Sequence, residues 1–447
     1  MTKPRLVLVV GVVAVVVGAV ATVGLYGFRE MRPARYSVIH RFAGGLDGSG
    51  PVPGLTVDTA GNLYGVTFSG GKLRWGTIFK LSRAPPPRSP DASASEPWTA
   101  PAEDPLWKEQ VVSLNLNTVG GNPAVPMISD RSGVLYGITS TGASSPRDHT
   151  REGALFKLET SAPGLSDPVP VYLMANREFN DRCSDLISDA SGALYGTTSG
   201  RGASSMGTVF KLNPTQDGWA MVTIHAFKGG DDGAYPEAGL VVDRSGALYG
   251  TTGGGGKDSI GTVFKLTPTE TGWNETVIHT FLQPDPSDGG GLPMAGLTID
   301  GAGTLYGTTG GGGKSGQGTI FTLTRSGEQW TYRVLYNFSG KDGDGAVPNS
   351  RLVFGDSGEL YGTTRYGGAA QSYGGKGTAF RLAPIFRFAP TWFGWKHTTI
   401  HAFAGGTDGD GSSLSGQLVR GTSGSLFGAT PGGGSPRNEG TVYEIVP

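Results

Sequence analysis

Apolar residues in this chain come in runs of four or five. These are too short for helix faces and too evenly spaced for irregular coil. Residues 239–242 (GLVV) are one such run, ended by the turn residues Asp243, Arg244, Ser245 and Gly246. Leu248 to Thr252 (LYGTT) follows, then four glycines, then Thr262 to Leu266 (TVFKL). Past Pro268 a fourth run starts at Trp273 (WNETVIHTF). β-Branched and aromatic residues fill the runs, and Gly, Asp, Ser and Pro separate them, which predicts four short strands joined by tight turns. Val263 lies on one face of its strand, with Phe264 and Leu266 nearer the other. Both faces of the sheet are therefore expected to be covered. Outside the N-terminus no segment shows helical periodicity.

The unit recurs. Its LYG tyrosine stands at positions 64, 136, 195, 249, 306 and 361, with Phe427 in the last copy. Seven copies of four strands, roughly 50 residues apart, predict a β-propeller. The chain ends fit this reading. Residues 36–45 (YSVIHRFAGG) read as a fourth strand with no first three before it, and GTVYEIVP at the C-terminus as a third strand with no fourth. Together they complete one blade and close the ring, leaving no open edge. The expected fold of residues 36–447 is thus all-β, a seven-bladed propeller of four-stranded blades closed by its N-terminal strand.

Two inserts interrupt the pattern between third and fourth strands. Residues 82–106 hold seven prolines and read as a solvated, disordered loop. Residues 385–394 (IFRFAPTWFG) are apolar, and Phe386, Phe388, Trp392 and Phe393 either fold back on their blade or form a patch for a partner or membrane. In the second and third units the fourth strand, placed across Asn115 and Met174, is hard to align.

The N-terminus has a different pattern. Lys3 and Arg5 precede an apolar run from Leu6 to about Phe28, long enough for a membrane-spanning helix. Ala19-Val20-Ala21 also resembles a cleavage site, so residues 1–35 read as a hydrophobic helix serving as signal anchor or signal peptide. The expectation is an extracytoplasmic domain, either membrane-anchored or secreted. A cytosolic domain behind an inner-membrane anchor is the alternative.

Composition narrows the classes. Net charge is −1, which gives no global field for nucleic acid. Glycine accounts for 77 of 447 residues without a G-X-Y period, so collagen is excluded. Cys183 is the sole cysteine, which rules out an intrachain disulfide and a cysteine-rich zinc site. The glycine run before Lys257 resembles a phosphate loop, but Asp258 stands where the hydroxyl belongs, and a strand follows instead of a helix.

Candidate chemistry gathers on one face. Alternating strand direction puts the Gly-rich loops, between second and third strands, on the same side as the GGxDGxxP loops that lead into each next blade. That face carries Asp47, Asp232, Asp288, Asp342 and Asp408, with Asp231, Asp344 and Asp410 beside them. Such carboxylates could bind sugar hydroxyls or calcium, whereas Asp-Gly is also the usual tight-turn dipeptide, and the turn reading is favoured. His40, His225, His279 and His401 share one position, taken by Tyr336 in another unit, and repetition points to packing rather than catalysis. Asp58, Asp130, Asp189, Asp243 and Asp300 fit turn caps, and Trp219, Trp273, Trp330 and Trp395 fit blade packing.

The combination LYGTT–GGG–GTVFKL, preceded by W…TVIHxF and GGxDGxxP, resembles the GloVer tandem-repeat family over nearly all of residues 36–447. The resemblance implies a bacterial extracytoplasmic repeat protein of variable anchoring, with no reaction, ligand or catalytic residue to carry over. The expected function is a non-enzymatic binding or surface scaffold, with a glycan or cell-envelope protein as partner. The alternative is a polysaccharide lyase or hydrolase with its site on the Gly-rich loop face.

Overall fold

The structure is a computed structural model that describes residues 33–83, 107–144, 151–160, 164–174, 183–216, 218–282, 289–368, 375–386, 393–405, 410–412, 414 and 416–447. The predicted N-terminal helix, the proline-rich insert from 84 onward and the centre of the aromatic insert lie outside these residues. Among the described residues no helix is long and apolar enough to cross a membrane.

Seven antiparallel sheets follow one another along the chain. Blade 4 is representative: Val241–Val242 is innermost, then Leu248–Thr252, Thr262–Thr269 and, outermost, Gly272–Thr280. The ring closes as the chain ends predict. Arg35–Arg41 pairs antiparallel with Thr441–Val446 and supplies the outermost strand of blade 7.

Two predicted boundaries move. The innermost strand begins not at Gly239 but at Val241, where it pairs with Tyr249 of the second strand. The third strand continues past Leu266 to Thr269 despite Pro268. The second strand ends its pairing at Leu266, so Pro268 faces only the outermost strand, where it pairs with Trp273.

The repeated letters each have a packing cause. The phenylalanine of TVFKL is fully buried in six blades, and Tyr443 replaces it in blade 7. The glycine of LYG exists to receive it: a Cβ at Gly250 would lie 2.5 Å from Phe264 Cζ. The outer-strand tryptophans bridge blades. Trp273 meets Tyr195 edge-on at 6.1 Å and Trp330 meets Tyr249 at 6.0 Å. Leu114 and Met174 take the place of the apolar residue that ends the outer strand, as Phe227 does in blade 3. Each donates its N–H to the glycine before the third strand. Asn115 and Met174 therefore follow their strands instead of lying within them.

Candidate functional site

The two loop families share a face and are stitched together. In every blade the segment entering the blade pairs with the Gly-rich loop region. Examples are Ser49 with Ser69, Cys183 with Thr198, Ala234 with Gly254, Gly290 with Gly312, and Gly411 with Gly433. The face is thus a continuous ring of short, glycine-rich backbone ladders.

The conserved-looking carboxylates of the GGxDG loops are used inside those loops. Asp232 accepts the Lys228 N–H at 2.6 Å and meets His225 Nε2 at 3.1 Å. Asp47 accepts the Ala43 N–H at 2.7 Å and lies 4.0 Å from His40 Nε2, which also meets Glu109 at 3.2 Å. In blades 6 and 7 the paired residue is the second aspartate of each string. Asp344 accepts from the Tyr336 hydroxyl and the Ser339 N–H at 3.1 and 2.7 Å. Asp410 meets His401 at 2.6 Å and accepts from Ala404 and Gly405 N–H groups. Asp342 instead sits exposed in a left-handed turn at φ 53°, and Asp231 is exposed in a single 3₁₀ turn, Gly230–Asp232. Asp288 and Asp408 lie outside the described residues.

The histidine side of these pairs is set by a β-bulge. Register slips by one residue between Val209 and Phe210 against the outer strand, and the same slip recurs beside His40, His279, Tyr336 and His401. A bulge re-aims the side chain that follows it. Each ring then packs edge-on against the aromatic two residues later, as His225 does on Phe227 at 4.7 Å. Burial lowers the His225 pKa, against the opposing pull of Asp232. His279 is lowered by burial to about 4 and stacks on Tyr332 at 4.1 Å. These half-buried pairs repeat from blade to blade. Among the described residues no group of three or more His, Cys, Asp or Glu is arranged to hold a metal ion.

A second set of residues on this face was not legible beforehand. Gly50, Asn122, Tyr235, Leu292 and Val347 occupy one equivalent position, all left-handed, with φ between 51° and 61°. Each donates its N–H to the preceding blade, at 2.8, 2.8, 2.7, 2.8 and 2.9 Å respectively. Glycine or asparagine suits this conformation, and a bulky side chain there is strained. Tyr235 and Leu292 are nonetheless 44% and 47% exposed. Their side chains lie along the glycine loop, toward Gly254 and Gly311.

The third set lies on the axis. The residue preceding the first apolar position of each innermost strand is Gly54, Pro126, Asp185, Gly239, Gly296, Arg351 or Gln417. Elsewhere the blades repeat; here they differ. Arg351 reaches from blade 6 to blade 4, where its guanidinium donates to the Leu240 carbonyl at 3.0 Å. Asp185, Glu237, Asn349, Arg351 and Gln417 line a cavity of about 150 Å³. Burial raises the Asp185 pKa and Arg351 opposes the rise.

The remaining candidates resolve simply. Cys183 is half-buried, its thiol directed to the Ser184 carbonyl and its pKa pushed up by burial and then by Asp185. The ends of the aromatic insert lengthen a hairpin, with Phe386 paired to Phe393 in strand register. Phe388 and Trp392 lie outside the described residues.

The pattern of the Gloeobacter/Verrucomicrobia repeat matches residues 107–301 and 274–447. No curated protein matches. Among solved structures, one similar chain is a luciferin-regenerating enzyme, at 15% identity over 74% of this chain and 88% of that one, with a TM-score of 0.40. Another is a protein of unknown function from Dyadobacter fermentans, at 10% identity over 93% of this chain and 99% of that one, with a TM-score of 0.39.

Proposed function

This chain belongs to the Gloeobacter/Verrucomicrobia repeat family, and from that premise we propose that it is an exported, non-enzymatic binding scaffold whose loop face takes glycan. The observation that carries the reading is the left-handed Tyr235 and Leu292 pair. Two blades show that Gly or Asn serves the same turn, at Gly50 and Asn122. Retaining a strained, exposed tyrosine and leucine costs about 1–2 kcal/mol each. Backbone strain of this kind concentrates at binding sites. An exposed tyrosine ring offers an apolar face with a polar tip, suited to stacking on a sugar.

The carboxylates support scaffold over catalyst. An enzyme needs one asymmetric acid–base set, and Asp47, Asp232, Asp344 and Asp410 are repeated from blade to blade and bonded within their own turns. Repetition suits a polymeric ligand, since several weak contacts along one chain add through effective concentration. Export rests on the apolar run at residues 6–28.

The test is binding of the detergent-solubilised full chain to a glycan array, with calcium and with chelator. Retention of extended glycans is expected. Failure to bind any glycan in both conditions would overturn the reading. Recovery of shortened glycans would favour the polysaccharide-active enzyme instead.

A further inference from the structure

The axial cavity differs from the rest of the molecule because its lining has no repeat. Three of the seven positions around the axis are glycine. Two of them are kept small by the arginine that crosses them: a Cβ at Gly296 would lie 2.7 Å from an Arg351 nitrogen, and one at Gly239 would lie 2.8 Å from the same atom. A proline and three polar residues fill the other positions. This side-chain set leaves groups unsatisfied. Arg351 Nε and Asn349 Oδ1 are both buried with no hydrogen-bond partner among the described residues. Unpaired buried polar atoms cost about 1–3 kcal/mol each, and their presence calls for something that pairs them.

The chemistry of the lining restricts what that is. Donors come from Arg351 and the amides of Asn349 and Gln417, and acceptors from Asp185, Glu237 and Asn349. An apolar guest would leave Arg351 Nε and Asn349 Oδ1 unpaired. Two carboxylates against one arginine disfavour an anion, and among the described residues no group of three or more His, Cys, Asp or Glu is arranged to hold a metal ion. A neutral polyol fits, because every hydroxyl both donates and accepts. The volume, about 150 Å³, is that of roughly five waters. That is room for one sugar ring and not for an oligosaccharide. The position also fits. Glu237 and Gly239 precede the innermost strand Val241–Val242 and follow the loop that carries Tyr235. The cavity therefore opens toward the loop face.

We propose that Asp185, Glu237, Asn349, Arg351 and Gln417 form a single axial site for one neutral, monosaccharide-sized polyhydroxylated unit. The unit is either a free sugar or the end of a glycan lying on the loop face. The choice of sugar as the class of polyol rests on the glycan reading above.

The full chain in detergent would be titrated with glucose, galactose and mannose, and separately with dextran, galactan and mannan. Arg351→Lys keeps the charge and removes the Nε–H. Gln417→Leu removes an amide of the cavity lining and keeps the test alive if the arginine variant misfolds. The expected result is monosaccharide binding that weakens tenfold or more in either variant, with an unchanged melting temperature in Gln417→Leu. Monosaccharide binding with unaltered affinity in both variants overturns the axial site. So does polysaccharide binding equal in all three proteins with no monosaccharide bound, an outcome that leaves the glycan reading standing. Monosaccharide binding without polysaccharide binding supports the axial site for a free sugar and removes the glycan reading. No binding of either class overturns both.

Discussion

The hydroxyl of Tyr249 donates to Oδ2 of Asp243 at 3.0 Å, and this bond joins the start of a turn to the strand that follows it. Oδ1 of the same aspartate accepts the N–H groups of Ser245 and Ala247. The arrangement recurs at Asp58–Tyr64, Asp130–Tyr136, Asp189–Tyr195 and Asp300–Tyr306. In blade 7 both partners are lost together, to Gly421 and Phe427. In blade 6 Gly355 replaces the aspartate, and Glu359 accepts the Ser357 N–H instead. Blade 6 keeps Tyr361 without the aspartate, so the coupling of the two side chains is a property of the blades that hold both. Asp243→Ala is expected to cost about 1–2 kcal/mol in urea unfolding, and Tyr249→Phe about 1 kcal/mol. The double variant should cost less than their sum by about 0.5 kcal/mol or more. Strict additivity would show that the two side chains act independently.

The LYG glycine should tolerate nothing larger. Gly250→Ala forces Phe264 from its place, since the added carbon would be 2.5 Å from the ring. Overpacking of this kind costs about 1–3 kcal/mol. Phe264→Leu in the same chain should recover part of the loss. A neutral Gly250→Ala would mean that glycine serves the backbone there rather than the ring.

Glu275 gives the fold a pH dependence. It is half-buried, and burial first, with Asp232 second, raises its pKa from 4.5 to about 7. Between those values the folded chain holds a proton that the unfolded chain has released. Stability contributed by this group is therefore present near pH 4.5 and lost as pH rises through about 7. Glu275→Gln removes the effect. Its melting temperature should exceed that of the parent at pH 8, with the gap closing by pH 4.5. An equal gap at both pH values would contradict the assignment.

How far the sequence was legible depended on what each residue answers to. Strands two and three could be placed because Leu248 to Thr252 and Thr262 to Leu266 answer to neighbours within their own blade. The turn role of Asp243 was legible for the same reason. The bulge beside His225 was not, since a register slip leaves no mark in a run of apolar residues. The left-handed Tyr235 was hidden because tyrosine argues against that conformation. Asp185 and Arg351 were hidden because their partners lie in other blades, 166 positions apart. Aligning the residue before each innermost strand exposes them as a column in which the repeat fails.

The measurement that tests the account most directly sets stability against binding at the two strained positions whose side chains are most exposed, Tyr235 and Leu292. Tyr235→Gly and Leu292→Gly would be combined and compared with the parent by thermal unfolding and by electrophoresis through polysaccharide-containing gels. Relief of the left-handed strain should raise stability by about 1 kcal/mol or more, while retardation by the polysaccharide is lost. A destabilised variant, or one retarded as strongly as the parent, would contradict a glycan-binding role for this face.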